Sequence, residues 1–199
     1  MLGSNFYNQD SVMAAQSLLG CELIYTPAGG KSRGGLIVET EAYAQSDEAS
    51  HSFRGLTKRN AVMFGPGGYA YIYFTYGVHY CFNAVVGKPG YAEAVLIRAL
   101  EPTRGIELMQ HNRGTVNLFN LCSGPGKLVQ ALGLRREHNG ASLRTSELHI
   151  NKRTSRPPIA ASPRIGISRA VDKPWRFMIA ESPWVTKHKL NKTAFAVQI

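Results

Sequence analysis

The chain has 199 residues, 44% of them hydrophobic, so it is long enough to enclose the core of one ordinary domain. Its mean hydropathy of −0.17 argues against disorder, and no stretch approaches the roughly 18 uncharged apolar residues of a membrane span. A net charge of +10 favours a polyanionic partner such as nucleic acid; a soluble protein with a basic tail and no such partner is the alternative.

Spacing of apolar, capping and turn residues predicts an α+β domain spanning residues 1–199. Predicted helices are Ser11–Leu19 (capped by Asp10 and stopped by Gly20), Thr103–Asn112 and Gly124–Leu132. Predicted strands are Cys21–Thr26, Gly34–Tyr43, Tyr69–Tyr76, Val78–Val86, Ala94–Leu100, Glu147–Ile150 and Trp175–Ile179. Because strands outnumber helices and connections are short, we expect a single compact domain with a mostly antiparallel sheet flanked by short helices.

The basic charge is concentrated near the C-terminus. Residues 1–134 carry 10 Lys and Arg against 9 Asp and Glu, whereas residues 135–199 carry 13 against 4. For the tail over residues 186–199, with Lys187, Lys189 and Lys192, we expect either nonspecific attraction to phosphate or disorder.

The three cysteines, Cys21, Cys81 and Cys122, lie far apart and form no CxxC pair. We therefore expect no zinc site and no disulfide framework, and a reducing compartment is the simpler inference. The N-terminus shows no secretory signal. We expect a cytoplasmic or nucleoid-associated protein if the source is bacterial, and a nuclear one if it is eukaryotic.

Two carboxylates follow an apolar run in the predicted strand Gly34–Tyr43. Glu39 and Glu41 alternate by two, so they share one face with Tyr43. A carboxylate beside an aromatic surface has its charged form disfavoured unless hydrogen bonds or a cation compensate, which suits a general base acting on water. The alternative is that the two glutamates lie on the solvent face of an antiparallel strand. Arg98, in another apolar strand, would pair with Glu41 or Glu39, either at the site or as an ordinary structural salt bridge.

Tyrosines alternate through the predicted hairpin 69–86, and most of them fit ordinary strand packing. Tyr76 differs because it adjoins Gly77 at the expected tip, where a large ring is poorly placed to enter the core. In a basic protein, such a projecting ring can stack on bases or wedge between them.

The run SGPGK at residues 123–127 opens a predicted helix. Backbone N–H groups of Gly124 and Gly126, the helix dipole and Lys127 would together hold one phosphate. A capped helix with proline near its first position explains the same run equally well. The run is too short for a nucleotide P-loop.

Eight segments, in order and with compatible spacing, resemble the alkyladenine (3-methyladenine) DNA glycosylase family. They are IVETEAY at 37–43, DEASHS at 47–52, Tyr73 with TYG at 75–77, Cys81 with Asn83, VLIRALEP at 95–102, LCSGPGKL at 121–128, RIGI at 164–167 and SPWV at 182–185. The match covers the chain from about Ser17 to Val185, and eight runs in sequence are highly specific.

This resemblance implies a curved antiparallel sheet and a monomeric enzyme without metal or other cofactor. It implies that Glu41 activates the water that attacks the sugar C1′, with Arg98 orienting that arrangement. Tyr43, His51 and Tyr73 would line a pocket for an extruded base, together with Cys81. Asn83 would reject normal guanine by crowding its exocyclic amino group.

The same resemblance makes double-stranded DNA containing damaged purines the partner. Tyr76 would enter the minor groove and fill the gap left by the flipped nucleotide. Contacts with the DNA backbone are implied for Thr57, Arg59, Met63, Ser123, Gly124 and Lys127. The main rival interpretation is a non-catalytic nucleic-acid-binding module with the same basic surface and stacking tyrosines. An inactive relative is a second rival.

Overall fold

The protein is described by a computed structural model that covers residues 1–75, 77–145 and 147–197. Its α-helices are α1 (Ser11–Leu18), α2 (Ile106–Arg113) and α3 (Pro125–Leu132). Its strands are β1 (Glu22–Tyr25), β2 (Arg33–Ala44), β3 (Ala70–Thr75), β4 (His79–Val86), β5 (Glu93–Arg104), β6 (Leu148–Asn151), β7 (Ile159–Ser162), β8 (Arg176–Ile179) and β9 (Phe195–Val197). Five short 3-10 helices lie at Ser4–Asn8, Ala61–Phe64, Leu118–Asn120, Arg136–His138 and Lys189–Thr193.

The nine strands of the described residues all belong to one antiparallel sheet, which confirms the predicted α+β class. The order along its main path is β3-β4-β5-β2-β8-β7-β9, and β1 pairs with β2 and β6 off this path. One edge of β2 pairs with β5 along its length. On the other edge, the first half of β2 pairs with β1 and the second half pairs with β8. The long strands β2 and β5 therefore form the centre of the sheet.

Helix α1 covers one face of this centre. Its first turn is capped as predicted, because the Asp10 carboxylate accepts from the N–H groups of Val12 and Met13. Thr40 of β2 donates its hydroxyl to the carbonyl of Ala15 in α1. The large hydrophobic core lies on this face, where residues of α1, α2 and α3 pack on apolar side chains of the sheet. The opposite face is left for polar and aromatic side chains.

Alternation along β5 places Arg98 on that opposite face. Leu96 pairs with Glu41, and Arg98 lies two residues further on, so it points to the same side as Leu96. Arg98 consequently lies beside Glu39 and Glu41, which it contacts. The register becomes irregular next to it, where Val38 and Arg98 are both skipped in the pairing.

Two segments differ from the predicted boundaries. The predicted helix Thr103–Asn112 is wrong in its first turn, since Thr103 and Arg104 continue β5 and both donate to Glu22. Gly105, at φ +63°, then turns the chain into α2. In the basic tail, residues 189–197 take regular structure: Arg176 donates to the side chain of Asn191, and β9 pairs with β7.

In the part of the chain that the structure describes, no helix has the length and apolar character needed to cross a membrane. Tyr76, predicted at the hairpin tip, lies outside the described residues. The hairpin that carries it is otherwise confirmed, with Thr75 paired to His79.

Candidate active site

A cavity of about 630 Å³ opens on the face of the sheet opposite α1. Strand register explains its floor, because side chains that pair across neighbouring strands lie on the same face. Tyr71 pairs with Asn83, Tyr73 with Cys81 and Asn83 with Leu96, which continues the row into β5 beside Arg98. These side chains all line the cavity, as does Tyr43 from β2.

Glu41 lies behind this wall, fully buried, and does not itself line the cavity. Its Oε1 accepts the backbone N–H of Ile165 at 2.7 Å, and its Oε2 accepts the Tyr43 hydroxyl at 2.9 Å. Arg98 Nη1 lies 3.2 Å from the same Oε2. All three partners line the cavity. Hydrogen bonds and a cation therefore compensate the buried charge, and the solvent-facing alternative for these glutamates is wrong.

Glu39 is the second buried carboxylate of the pair. Its Oε1 accepts from Arg98 Nε at 3.1 Å and from Arg176 Nε at 2.6 Å, and its Oε2 accepts the N–H of Thr186 at 2.8 Å. Burial alone would raise the pKa of Glu39, but the two guanidinium groups and the Thr186 N–H outweigh it and hold the pKa below its ordinary value. Glu39 therefore stays ionised and anchors Arg98 from the side away from Glu41.

Arg98 joins the two carboxylates. Burial acts to lower its pKa, but Glu41 and Glu39 raise it well above the ordinary value, so the guanidinium is permanently charged. The two alternatives left open by the sequence, pairing with Glu41 or with Glu39, are thus both realised. Burial, followed by the Glu41 charge, also raises the pKa of Tyr43, so its hydroxyl keeps the proton that it donates.

Three aromatic side chains form one side of the cavity. The His51 ring stands edge-on to Tyr73 with centroids 4.4 Å apart, and His51 Nδ1 lies 3.1 Å from the Tyr71 hydroxyl. The pKa of His51 is lowered, first by desolvation of the ring among its neighbours and then by the charge of Arg59. The imidazole is therefore neutral at pH 7. The cavity therefore presents flat, uncharged ring surfaces beside the ionised cluster.

Cys81 and Asn83 close the floor, both almost fully buried. Asn83 donates Nδ2 to the carbonyl of Tyr71 at 3.0 Å, which fixes the plane of its amide. Burial raises the pKa of the Cys81 thiol, so it is protonated and behaves as an apolar contact.

The start of α3 forms the opposite rim, where Ser123, Gly124 and Lys127 all line the cavity. Lys127 Nζ donates to the Asn120 side chain, and burial followed by the charge of Arg113 lowers the pKa of Lys127. Gly126 packs against His79 of β4, where an added Cβ would come within 2.9 Å of the imidazole. Glycine at this position therefore lets α3 approach the hairpin.

The remaining predicted DNA contacts fall in different places. Arg59 is on the surface, donates to the carbonyl of Phe74 and lies 5.6 Å from the Tyr73 ring centroid. Thr57 is exposed nearby. Met63 is only 2% exposed and packs with Tyr71 in a small hydrophobic cluster. Met63 also lines the cavity, and the DNA-backbone contact implied for it stays a prediction.

Several site residues were not predicted. Tyr71 shares the alternation that places Tyr73 in the cavity, so periodicity alone pointed to it. Asp47 and Arg164 form a buried ion pair beside Tyr43, but their partnership spans 117 positions and left no local signal. Thr186, which holds Glu39, lies in the segment treated as a tail.

A second depression of about 670 Å³ lies beside the N-terminus. Arg153 in its lining donates to the carbonyls of Ser17 and Leu19 at the end of α1, so this guanidinium is already engaged. Among the described residues, no group of three or more His, Cys, Asp or Glu side chains could hold a metal ion.

An aromatic cavity backed by a buried carboxylate and its cation defines the class of site. Ring surfaces of this kind suit a flat, aromatic ligand, and a carboxylate is a group that can act as a general base. Together with the net charge of +10, this arrangement suits an enzyme that acts on a base within a polyanion.

Comparison with known proteins identifies the family. Residues 5–183 match the family model of methylpurine-DNA glycosylase (MPG). A relative from Chlorobaculum tepidum is 50% identical over 189 residues, which cover 94% of this chain and 90% of the relative. A relative from Methanoculleus marisnigri is 47% identical over 191 residues, covering 94% and 98%. Both carry the name "Putative 3-methyladenine DNA glycosylase". The chain belongs to the methylpurine-DNA glycosylase family.

Proposed function

We propose that the protein is a monofunctional DNA glycosylase that hydrolyses the N-glycosidic bond of alkylated or deaminated purines and leaves an abasic site. Its substrates would be 3-methyladenine, 7-methylguanine, hypoxanthine and ethenoadenine in double-stranded DNA. The observation that carries this proposal is the buried Glu41 carboxylate, held by Tyr43, Arg98 and Ile165 at the wall of an aromatic cavity.

In the proposed reaction, a water oxygen forms a bond to the sugar C1′ while the bond from C1′ to the purine nitrogen breaks. The electron pair of that bond leaves with the purine, and Glu41 takes the proton from the water. The ionised carboxylate also stabilises positive charge that develops on the sugar. A cationic purine such as 3-methyladenine needs no further proton, because the departing electron pair neutralises it.

Acceptor capacity supports this role for Glu41. An ionised carboxylate offers about four lone-pair sites, and the three donors leave one of them for a water. Arg98 and Tyr43 both engage Oε2, whereas Oε1 accepts only the Ile165 N–H among the contacts described. We expect the water to come from the cavity, because the donors to Glu41 form the cavity wall on that side.

Chemistry at C1′ requires the nucleotide to leave the base stack, at a cost of a few kcal/mol. The rings of Tyr43, His51 and Tyr73 would then stack on the extruded base, and cation–π attraction favours an alkylated, positively charged purine. Asn83 would contact the purine edge, and Tyr76 would occupy the vacated place in the duplex. For Tyr76, a Tyr76→Ala variant should weaken base extrusion reported by a fluorescent neighbouring base.

The DNA backbone would cross the rim formed by the start of α3 and the surface around Thr57 and Arg59. Ser123, Gly124 and Lys127 would meet phosphate there, where the N-terminus of α3 adds its partial positive charge. We expect the protein to bind as a monomer and without a cofactor.

The proposal is tested by incubating the protein with duplexes that carry each of the four lesions. Released base and abasic sites are quantified, strand cleavage is scored, and borohydride trapping reports a Schiff base. Lys127 is the only lysine among the described residues that line the cavity, so Lys127→Gln is the matched trapping control. Free base with uncut, untrapped DNA is the expected result. Tight binding of every duplex without base release would instead indicate the non-catalytic nucleic-acid-binding module.

A further inference from the structure

A buried ion pair lies next to the catalytic cluster but does not contact the cavity. Arg164 donates through Nη1 and Nη2 to the two carboxylate oxygens of Asp47, and both side chains are fully buried. Arg164 Nη1 also donates to the carbonyl of Ala42 at 2.9 Å. Such a two-pronged contact fixes the guanidinium in position and in orientation.

The guanidinium is also held between two rings. Its central carbon lies 4.7 Å from the ring centroid of Tyr43 and 5.3 Å from that of Trp175. Lys173 also contacts this group: its Nζ lies 4.2 Å from the ring centroid of Trp175 and 3.7 Å from Asp47 Oδ1. The Arg164 guanidinium therefore packs over the Tyr43 ring and limits where that ring can lie.

The ion pair is connected to both carboxylate oxygens of Glu41. The backbone N–H that follows Arg164 belongs to Ile165 and donates to Glu41 Oε1, while the ring that Arg164 packs against carries the hydroxyl donated to Oε2. Two of the three donors to Glu41 are thus placed by one guanidinium, and Arg98 is the third. Asp47 also accepts the N–H of Ala49 in the turn that leads to His51.

We infer that Asp47 and Arg164 are positioning residues for Glu41: they aim the Ile165 N–H and the Tyr43 hydroxyl at its carboxylate. Neither side chain lines the cavity, so they act only through Glu41 and its donors. The inference rests on the proposed glycosylase function for its kinetic consequence. Its geometric consequence, the protection of the Ile165 amide, does not depend on that function.

The first test compares Asp47→Asn and Arg164→Lys with the unmodified protein in single-turnover excision of a lesion duplex. The rate constant should fall about 10–100-fold, as expected when hydrogen bonds to a charged group are misaligned, with lesion-DNA affinity changed less than threefold. Glu93→Gln is the matched control: Glu93 is a buried carboxylate that holds Ser11 and does not line the cavity. It should lower the melting temperature without lowering the rate constant of the folded fraction.

A double variant separates positioning from stability. Asp47→Leu with Arg164→Met leaves no unpaired buried charge, so it should recover melting temperature relative to either single variant. The excision rate constant should nevertheless stay low. Recovery of the rate together with the melting temperature would overturn the inference, because the pair would then contribute to stability alone.

Amide hydrogen exchange supplies the readout that is independent of activity. In Asp47→Asn and Arg164→Lys, the Ile165 amide should exchange at least tenfold faster, while in Glu93→Gln it should change no more than other amides of the sheet. Unchanged exchange at Ile165 in the pair variants would overturn the inference even if the protein released no base. Absence of base release by the unmodified protein would count against the proposed function only.

Discussion

Arg98 Nη1 lies 3.2 Å from Glu41 Oε2, and both side chains are buried in the centre of the sheet. Strand alternation places this guanidinium on the face that carries Glu41, and Glu39 binds its Nε. An ion pair this deep is costly to build and is retained only with complete hydrogen bonding.

Tyr43→Phe removes one donor to Glu41 and keeps the ring on Arg164. A hydrogen bond to a charged group contributes about 1.5–3 kcal/mol, so we expect the single-turnover excision rate to fall about 10- to 100-fold. Tyr25→Phe is the control, because its hydroxyl contacts His138 away from the cavity. Equal rates for Tyr43→Phe and the unmodified protein would show that the hydroxyl does not support the reaction.

Glu39→Gln should reduce stability strongly. The substitution removes the negative charge that pairs with both Arg98 and Arg176. Breaking a buried ion pair lowers the free energy of unfolding by about 3–5 kcal/mol. The pKa of Glu39 is lowered in the folded protein, so its contribution is present above the unfolded value of about 4.3 and is lost as pH falls through the folded value. Thermal unfolding should therefore show a drop in melting temperature below about pH 4.3 that is shallower in Glu39→Gln. Parallel pH profiles would contradict this.

His51 should titrate below its ordinary pKa of about 6.5, since its covered ring and the charge of Arg59 both disfavour the imidazolium. Nuclear magnetic resonance of the ring nitrogens gives the midpoint directly. Arg59→Met should move that midpoint up but leave it below 6.5, because burial is the larger cause. A midpoint above 6.5 in the unmodified protein would mean that the ring is charged near neutral pH.

Lys127 should contribute to phosphate binding at the cavity rim. The logarithm of lesion-DNA affinity should fall steeply with the logarithm of salt concentration, and Lys127→Gln should reduce the slope by about one. Lys31, in the exposed connection between β1 and β2, provides the control for loss of one positive charge. If Lys127→Gln and Lys31→Gln had the same slope, the rim would not be the phosphate contact.

The fold class, the hairpin and helices α1 and α3 followed from local patterns. Asp10 caps α1 through its own neighbours, and alternation in the hairpin sets which tyrosines share a face. The boundary of β5 was missed because its end is held by distant partners: Arg104 pairs with Gly34 of β2, and Thr103 donates to Glu22, 81 positions away.

The sequence indicated many of the residues of the candidate site, but not the long-range contacts that hold them together. Glu39 and Glu41 were visible as alternating carboxylates, yet their partners include groups from distant segments: Arg176 and the Thr186 N–H for Glu39, and the Ile165 N–H for Glu41. The Asp47 and Arg164 pair likewise forms only once distant segments meet. Burial of Met63 depends on packing against Tyr71 and Val85, which the local sequence does not indicate.

The central claim is that Glu41 activates the water, and Glu41→Gln tests it most directly. The amide keeps the shape of the side chain but cannot take the proton, so single-turnover release of 3-methyladenine should fall at least about 100-fold with lesion-DNA affinity nearly unchanged. Glu93→Gln, the matched buried carboxylate, should release the base at the unmodified rate. Release by Glu41→Gln within about threefold of the unmodified protein would contradict the assignment of Glu41 as the base.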